Sequence, residues 1–315
     1  MNKAFYAIGE ALIDFIPKDR DRLLKEVNGF EPQVGGAPCN VAAAVQKLAG
    51  HSHLITQLGE DAFGDRIVET LEQIEVNSQF IQRTSSANTA LAFVSLTADG
   101  ERDFSFYRKP SADMLYDPEH IQTIPISSDD IIHFCSVALV ESPMKAAHEA
   151  LIEKARREGA TVVFDPNVRL PLWDDHELYQ QTIQTFIKQA DIVKISDEEL
   201  EFITQISDEA EAIQSLFQGH VKAVIYTEGS KGARLILQDG TIFSAQPQPV
   251  VAIDTTGAGD AFIGAVIAQL MRHETQPLET LKVHGEEILS FANKVAGHVV
   301  QKYGALTSLP TYEEL

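Results

Sequence analysis

The chain has 315 residues with 46 acidic and 25 basic side chains, a formal charge of −21. That balance repels nucleic acid and anionic lipid, and no basic run offsets it. A hydrophobic content of 44% with 23% charged residues is that of a folded globular chain, long enough for one large α/β domain with an appendage. Two cysteines, Cys39 and Cys135, cannot build a disulfide framework and suit a reducing compartment. No apolar run reaches the ~20 residues that span a bilayer, and Met1-Asn2-Lys3 leads directly into a strand pattern with no signal-peptide core. A cytoplasmic protein without membrane or nucleic-acid partners is the expectation.

Ala4–Ile8 reads as an apolar strand closed by Gly9-Glu10, and Ala11–Ile16 as a second strand with Asp14 its one charge. A lone acid there is either an edge carboxylate or one that accepts ligand hydroxyls. Residues 17–22 form a charged loop, and Gly29–Gln33 reads as an irregular connection. Gly35-Gly36 then lets the backbone approach a ligand, before a helical pattern over Ala43–Leu48. Asn40 falls at the helix start, where its amide either caps the helix or reaches into a pocket. Cys39 has no acid–base partner and reads as a small buried side chain.

His53–Leu58 is a strand pattern, and Asp65–Ile74 an amphipathic helix; the pair His51 and His53 lacks metal-site companions and reads as surface. Thr89–Leu96 and Asp103–Tyr107, joined through Asp99-Gly100, read as a hairpin with Phe104 and Phe106 on one face. With Ala11–Ile16 it would make a small second sheet. From Ile131–Leu139 onward strands and helices alternate: helix Pro143–Arg157, strand Thr161–Phe164, a helix near His176–Ala190, strand Ile192–Ile195, a helix opening at Ser196-Asp197-Glu198-Glu199, and strand Ala223–Tyr226 followed by Ala233–Leu237. This alternation predicts a parallel sheet with helices on both faces, with ligands outside the carboxyl ends of its strands. Polar clusters fall at those ends, including Asp165-Pro166-Asn167-x-Arg169 and Thr227-Glu228-Gly229-Ser230-Lys231-Gly232.

The chain's most informative stretch comes late: Asp254-Thr255-Thr256-Gly257-Ala258-Gly259-Asp260-Ala261-Phe262, followed by an apolar helix pattern to Met271. In isolation it is a tight turn with a helix cap, a degenerate dinucleotide fingerprint, or an anion hole with an acid beside it. Phe262 stands where a dinucleotide motif needs glycine, and no Gly-x-x-x-x-Gly-Lys-Ser/Thr occurs. Backbone N–H groups at a helix start gather negative charge, and Asp260 beside them can accept a proton, a pairing suited to phosphoryl transfer to a hydroxyl.

Gly35–Ala42 and Asp254–Phe262 together resemble the two signatures of the PfkB (ribokinase-like) carbohydrate kinases, in the family's order and across essentially the whole chain. Tyr107-Arg108-Lys109-Pro110-Ser111-Ala112-Asp113 and Phe164-Asp165-Pro166-Asn167-Val168-Arg169 resemble its fructokinase members most. The resemblance implies one kinase domain over residues 1–315: a three-layer α/β sandwich with a mostly parallel sheet and a β-sheet lid from about 11–33 and 88–110. It implies Asp260 as catalytic base, with Gly257, Ala258 and Gly259 as anion hole. Asp14, Gly35, Gly36, Asn40, Phe106 and Arg169 fall on acceptor positions. Lys194, Thr227, Gly229, Gly232 and Asn293, with Gly257 and Gly259, fall on the nucleotide side.

The family's Asn-x-x-Glu motif falls on Ser196–Glu199, so Glu199 keeps the acid that serves Mg²⁺ through water while Ser196 departs from the pattern. Asp254, Thr256, Val299, Gly304 and Ser308 match a monovalent-cation loop, implying K⁺. The implied reaction is ATP-dependent phosphorylation of the 6-hydroxyl of D-fructose, in a protein that can pair with a second copy through its lid. The alternatives are a kinase of the same fold for 2-keto-3-deoxygluconate, ribose or a nucleoside, and a catalytically silent sugar- or nucleotide-binding regulator.

Overall fold

The structure, a computed structural model, describes residues 3–18, 22–96 and 102–315. In chain order the strands are β1 (Phe5–Ile8), β2 (Leu12–Pro17), β3 (Phe30–Gly35), β4 (Ser52–Gly59), β5 (Ile81–Thr84), β6 (Ala90–Leu96), β7 (Arg102–Tyr107), β8 (Ile131–Cys135), β9 (Thr161–Asp165), β10 (Ile192–Ser196), β11 (Ala223–Thr227), β12 (Ala233–Leu237) and β13 (Ile242–Ala245). The helices are α1 (Ala37–Ala49), α2 (Ala62–Gln73), α3 (Pro143–Glu158), α4 (His176–Ile187), α5 (Asp197–Thr204), α6 (Glu209–Ser215), α7 (Ala258–Arg272), α8 (Pro277–Val299) and the short α9 (Ala305–Ser308).

Among the described residues, nine strands form one sheet in the order β13-β12-β11-β10-β9-β8-β1-β4-β5. Pairing is parallel from β11 through to β5 and antiparallel for β11/β12 and β12/β13. Strands β8, β9, β10 and β11 are apolar along nearly their whole length because helices cover both faces. Alternate strand residues feed two cores. One packs against α1, α2, α7 and α8, the other against α3, α4, α5 and α6. The first strand lies between β8 and β4, so the connections diverge there. A sheet of this kind opens a crevice at such a switch point, beyond the carboxyl ends of the strands.

The second sheet has the order β3-β2-β6-β7, with β2/β6 parallel and the outer pairs antiparallel. One face is an aromatic cluster in which Phe15 stacks on Phe93 at 4.7 Å and Phe30 meets Phe93 edge-on. Here the structure corrects the sequence reading, because residues 30–35 are a strand and not an irregular connection. Pro32 obscured it; β3 is an edge strand, where a residue without an N–H is tolerated. The strand expected over Ile131–Leu139 ends at Cys135, and 136–139 turn as a 3₁₀ helix. His53 is not a surface residue: it is half-buried, stacked on Tyr6 at 4.7 Å. The Asp99-Gly100 turn lies outside the described residues. Also among those residues, no helix is long and apolar enough to cross a membrane.

Candidate active site

At the switch point, a cavity of about 370 Å³ is lined from both sheets. Glu10 follows β1, Val137 follows β8, Asn167 and Arg169 follow β9, and Lys194 and Glu198 come from β10 and the turn into α5. Gly36, Ala37 and Asn40 belong to the start of α1, while Thr255, Thr256, Gly257, Gly259 and Asp260 belong to the start of α7. The small sheet contributes Leu12 and Asp14 from β2 and Phe106 from β7.

Asp260 occupies the first turn of α7 and is 8% exposed. The preceding Gly257 has a left-handed backbone, φ +75°, that turns the chain into the helix. Ala258 N–H bonds back to Thr255 O at 3.2 Å, and the first helical bond runs from Ala261 N–H to Gly257 O at 2.8 Å. The N–H groups of Gly259 and Asp260 therefore have no intrahelical acceptor and carry the positive end of the helix dipole. Ala258, expected in the cradle, has its N–H committed to Thr255 and does not line the cavity.

Two amides hold the Asp260 carboxylate. Asn40 Nδ2 donates to one oxygen at 2.8 Å and Asn167 Nδ2 to the other at 3.2 Å. Asn40 thus reaches into the site and does not cap α1. Asn167 has a positive φ of 47°, a conformation asparagine accepts more readily than most residues. Burial pushes the Asp260 pKa above the ordinary carboxylate value, opposed by the Asn40 bond and by Arg169 and Lys194. A buried carboxylate aligned by two donors, with raised basicity, is poised to take a proton.

Lys194 pairs with Asp165 at 3.1 Å, both buried. Burial disfavours the ammonium charge, but Asp165, Glu199 and Asp260 outweigh it, so Lys194 holds its proton more firmly than usual. Its Nζ lies 3.4 Å from the position a Cβ would take on Gly259, which puts a fixed positive charge directly at the cradle. Asp14 lies over Gly35, where an added Cβ would fall 2.1 Å from the carboxylate oxygen. Arg169 is half-buried, its Nη1 donating to Val168 O at 2.9 Å.

Of the other expected residues, Thr227, Gly229, Gly232 and Asn293 do not line this cavity. They lie at the ends of β11 and around β13, where Asn293 Nδ2 donates to Ala245 O at 2.9 Å and Thr227 Oγ1 donates to Ile195 O at 3.5 Å. Glu199 is engaged by backbone: one oxygen accepts Val168 N–H at 2.7 Å, the other Ser196 N–H at 2.9 Å. Its neighbour Glu198 faces the cavity instead. Among the described residues, no group of three or more His, Cys, Asp or Glu could hold a metal ion.

Of the expected cation-loop residues, Asp254, Thr256 and Gly304 meet through hydrogen bonds. Asp254 accepts Thr256 N–H and Oγ1–H at 3.0 and 2.6 Å on one oxygen, and Gly304 N–H at 3.0 Å on the other. Val299 O accepts Lys302 N–H at 3.1 Å, and Ser308 Oγ donates to Ala305 O at 2.8 Å.

Glu10, Leu12, Ala37, Val137, Asn167, Glu198 and Thr255 line the cavity without having been assigned a role from sequence. Asn167 and Glu10 left a signal, each a polar residue just past the end of an apolar strand.

A buried carboxylate beside an anion cradle and a fixed ammonium, beneath a small second sheet, makes this a phosphotransferase acting on a hydroxyl. Residues 3–312 match the model of the pfkB family carbohydrate kinases. The chain is 40% identical over 308 residues to the probable fructokinase-2 of Arabidopsis thaliana, covering 97% of this chain and 92% of that protein. Its fold is similar to that of the fructokinase of Xylella fastidiosa with bound ATP, at a TM-score of 0.88 and 32% identity over 100% of this chain and 97% of that one. A fructokinase double mutant of Vibrio cholerae O395, in fructose-, ADP- and potassium-ion-bound form, is similar at 0.89 and 30% identity over 99% and 97%. The chain belongs to the pfkB family of carbohydrate kinases.

Proposed function

We propose that this protein is an ATP-dependent fructokinase that transfers the γ-phosphoryl group of ATP to the 6-hydroxyl of D-fructose. The observation that carries it is Asp260: buried, held by Asn40 and Asn167, and adjacent to the N–H cradle and Lys194. The full-length likeness to fructokinases supports fructose as acceptor.

Asp14, Gly35, Gly36 and Asn40 hold the sugar, with Phe106 above it and Arg169 at the phosphate side. Asp260 accepts the hydroxyl proton as that oxygen bonds to the γ-phosphorus and the bond to the ADP oxygen breaks. The Gly257–Gly259 turn and Lys194 stabilise the charge on the phosphoryl oxygens. Thr227, Gly229, Gly232 and Asn293, outside the cavity but on the same edge of the sheet, take the nucleoside end. The small sheet acts as a lid that excludes water, which otherwise competes as acceptor.

Glu198, which faces the cavity, and Glu199 beside it would hold a magnesium ion brought by the nucleotide, through water. Bound there, Mg²⁺ would neutralise phosphate charge. The all-oxygen set around Asp254, Thr256, Val299, Gly304 and Ser308 suits K⁺, which would stiffen the turn behind the cradle. The lid's edge strands offer a face for a second copy of the chain.

Asp260→Asn tests the assignment. Turnover falls by about three or more orders of magnitude while fructose still binds, since the base is lost but the pocket is not. Near-normal turnover would remove Asp260 from the chemistry.

A further inference from the structure

Behind the acceptor side of the cavity, three charges are almost wholly buried: Glu10, Arg108 and Asp113 are 2%, 6% and 1% exposed. Arg108 is the first residue after β7, two beyond Phe106. Its guanidinium donates to the Asp113 carboxylate, which Ser111 Oγ also holds, and to Val137 O at 3.1 Å. Gln57 Nε2 donates to Ala112 O at 2.9 Å, and Ala112 N–H to Asn88 O at 2.8 Å. The segment after β7 is thereby fixed to the main body, while β7 itself belongs to the small sheet.

Glu10 faces this block from the end of β1. Its Oε1 accepts Ala37 N–H at 3.2 Å, at the first residue of the helix whose Asn40 holds Asp260. Glu10 and Val137 both line the cavity. Asp113 is matched by Arg108, whereas among the described residues no ion pair joins Glu10 to Arg108. Two buried atoms of opposite character, Glu10 Oε2 and Arg108 Nε, each lack a hydrogen-bond partner among the described residues. A buried polar group left this way is unfavourable, and more so when charged. A movement that brings these two atoms together satisfies both.

We propose that Glu10 and Arg108 form a latch: when the small sheet closes on an acceptor, Arg108 Nε–H bonds to Glu10 Oε2, so these two positioning residues set acceptor affinity from behind the site. The latch rests on the reading of the cavity as a sugar-kinase acceptor site. It joins the strand that carries Phe106 to the helix that carries Asn40, without requiring Arg108 or Asp113 to touch substrate.

The test is a double-mutant cycle on the full-length protein with Glu10→Gln, Arg108→Lys and the pair, titrated calorimetrically with fructose and, separately, with ATP. Glu10→Gln keeps the size of the side chain, and Arg108→Lys keeps the charge but removes Nε. Each single variant should weaken fructose binding by about tenfold or more, the loss of a charge-assisted hydrogen bond, with ATP affinity unchanged in the absence of sugar. The double variant should be no weaker than the worse single, because both remove one interaction. Additive losses, or fructose affinity unchanged in Glu10→Gln, overturn the latch. If Arg108→Lys does not fold, Glu10→Gln alone still decides by the same criterion. Wild-type protein that phosphorylates no sugar overturns the kinase reading and the latch with it; an active wild type with unaffected variants overturns the latch only.

Discussion

The two glycines of the cradle should respond in opposite ways to the same added methyl. Gly257 has φ +75°, and a Cβ there would lie 2.6 Å from Ala305 Cβ and 3.1 Å from Ala305 Cα, at the start of α9. Gly257→Ala therefore combines about 1–2 kcal/mol of left-handed backbone strain with a contact that moves the turn off Ala305. Gly259 has no positive φ and lies within α7, and its Cβ would meet only Lys194 Nζ, at 3.4 Å. Gly259→Ala leaves the fold intact, and removing a helical glycine even adds up to about 1 kcal/mol. The methyl, however, stands between the Lys194 ammonium and the place of the transferring phosphoryl group, and a displacement near 1 Å suffices for a loss of about 10²-fold. Chemical denaturation and a coupled ADP-release assay on both variants separate the effects. Gly257→Ala should lose stability and activity together, whereas Gly259→Ala should lose about 10²-fold in kcat at wild-type stability or slightly above. Gly259→Ala within threefold of wild-type kcat would refute the placement of the phosphoryl group.

Lys194→Met should abolish most turnover and destabilise the fold by about 3–5 kcal/mol, because it leaves Asp165 buried without its partner. Adding Asp165→Leu should recover stability in urea unfolding but not activity; joint recovery would make the pair purely structural. Asp254→Ala releases Thr256 and Gly304 together and should lower kcat by about tenfold or more with loss of any K⁺ activation, measured in sodium and potassium buffers. Activation by K⁺ that survives in this variant would remove the loop from cation binding. Burial raises the Glu10 pKa from 4.5 to about 7, against Arg108 and the Ala37 N–H and with Asp113. The folded state therefore holds a proton there that the unfolded chain gives up, so this contribution to stability is present below 4.5 and lost as pH rises to about 7. Glu10→Gln lacks that loss, and its Tm relative to wild type should rise across the window; a constant difference from pH 4.5 to 8 would contradict the burial of the charge.

The sheet was legible because β8 to β11 are buried on both faces and must be apolar throughout, with polar residues collecting just past their ends. The Asp254–Phe262 stretch was legible because few residue types permit a bare helix start beside a buried acid. Other features left no local trace. Pro32 and Gly29 argued against β3, and only its place at a sheet edge makes that strand allowable. His53 looked like surface because its companion is Tyr6 on a neighbouring strand, beyond the reach of periodicity. Glu10 lies about a hundred residues from Arg108 and Asp113 in the sequence, and the three are grouped only once β1 and the small sheet are in place. Asn167 was visible as one of several polar residues after β9, but its hold on Asp260 depends on a register 93 residues away.

The central claim is that Asp260 and its cradle phosphorylate the primary hydroxyl of fructose. Initial-rate ADP release, with ATP and a panel of fructose, ribose, 2-keto-3-deoxygluconate, tagatose 6-phosphate and adenosine, tests it most directly when the product is located by phosphorus–carbon coupling in NMR. The account predicts the highest kcat/KM for fructose, with the phosphate on carbon 6. A higher kcat/KM for any other acceptor, or phosphate on carbon 1, would contradict it.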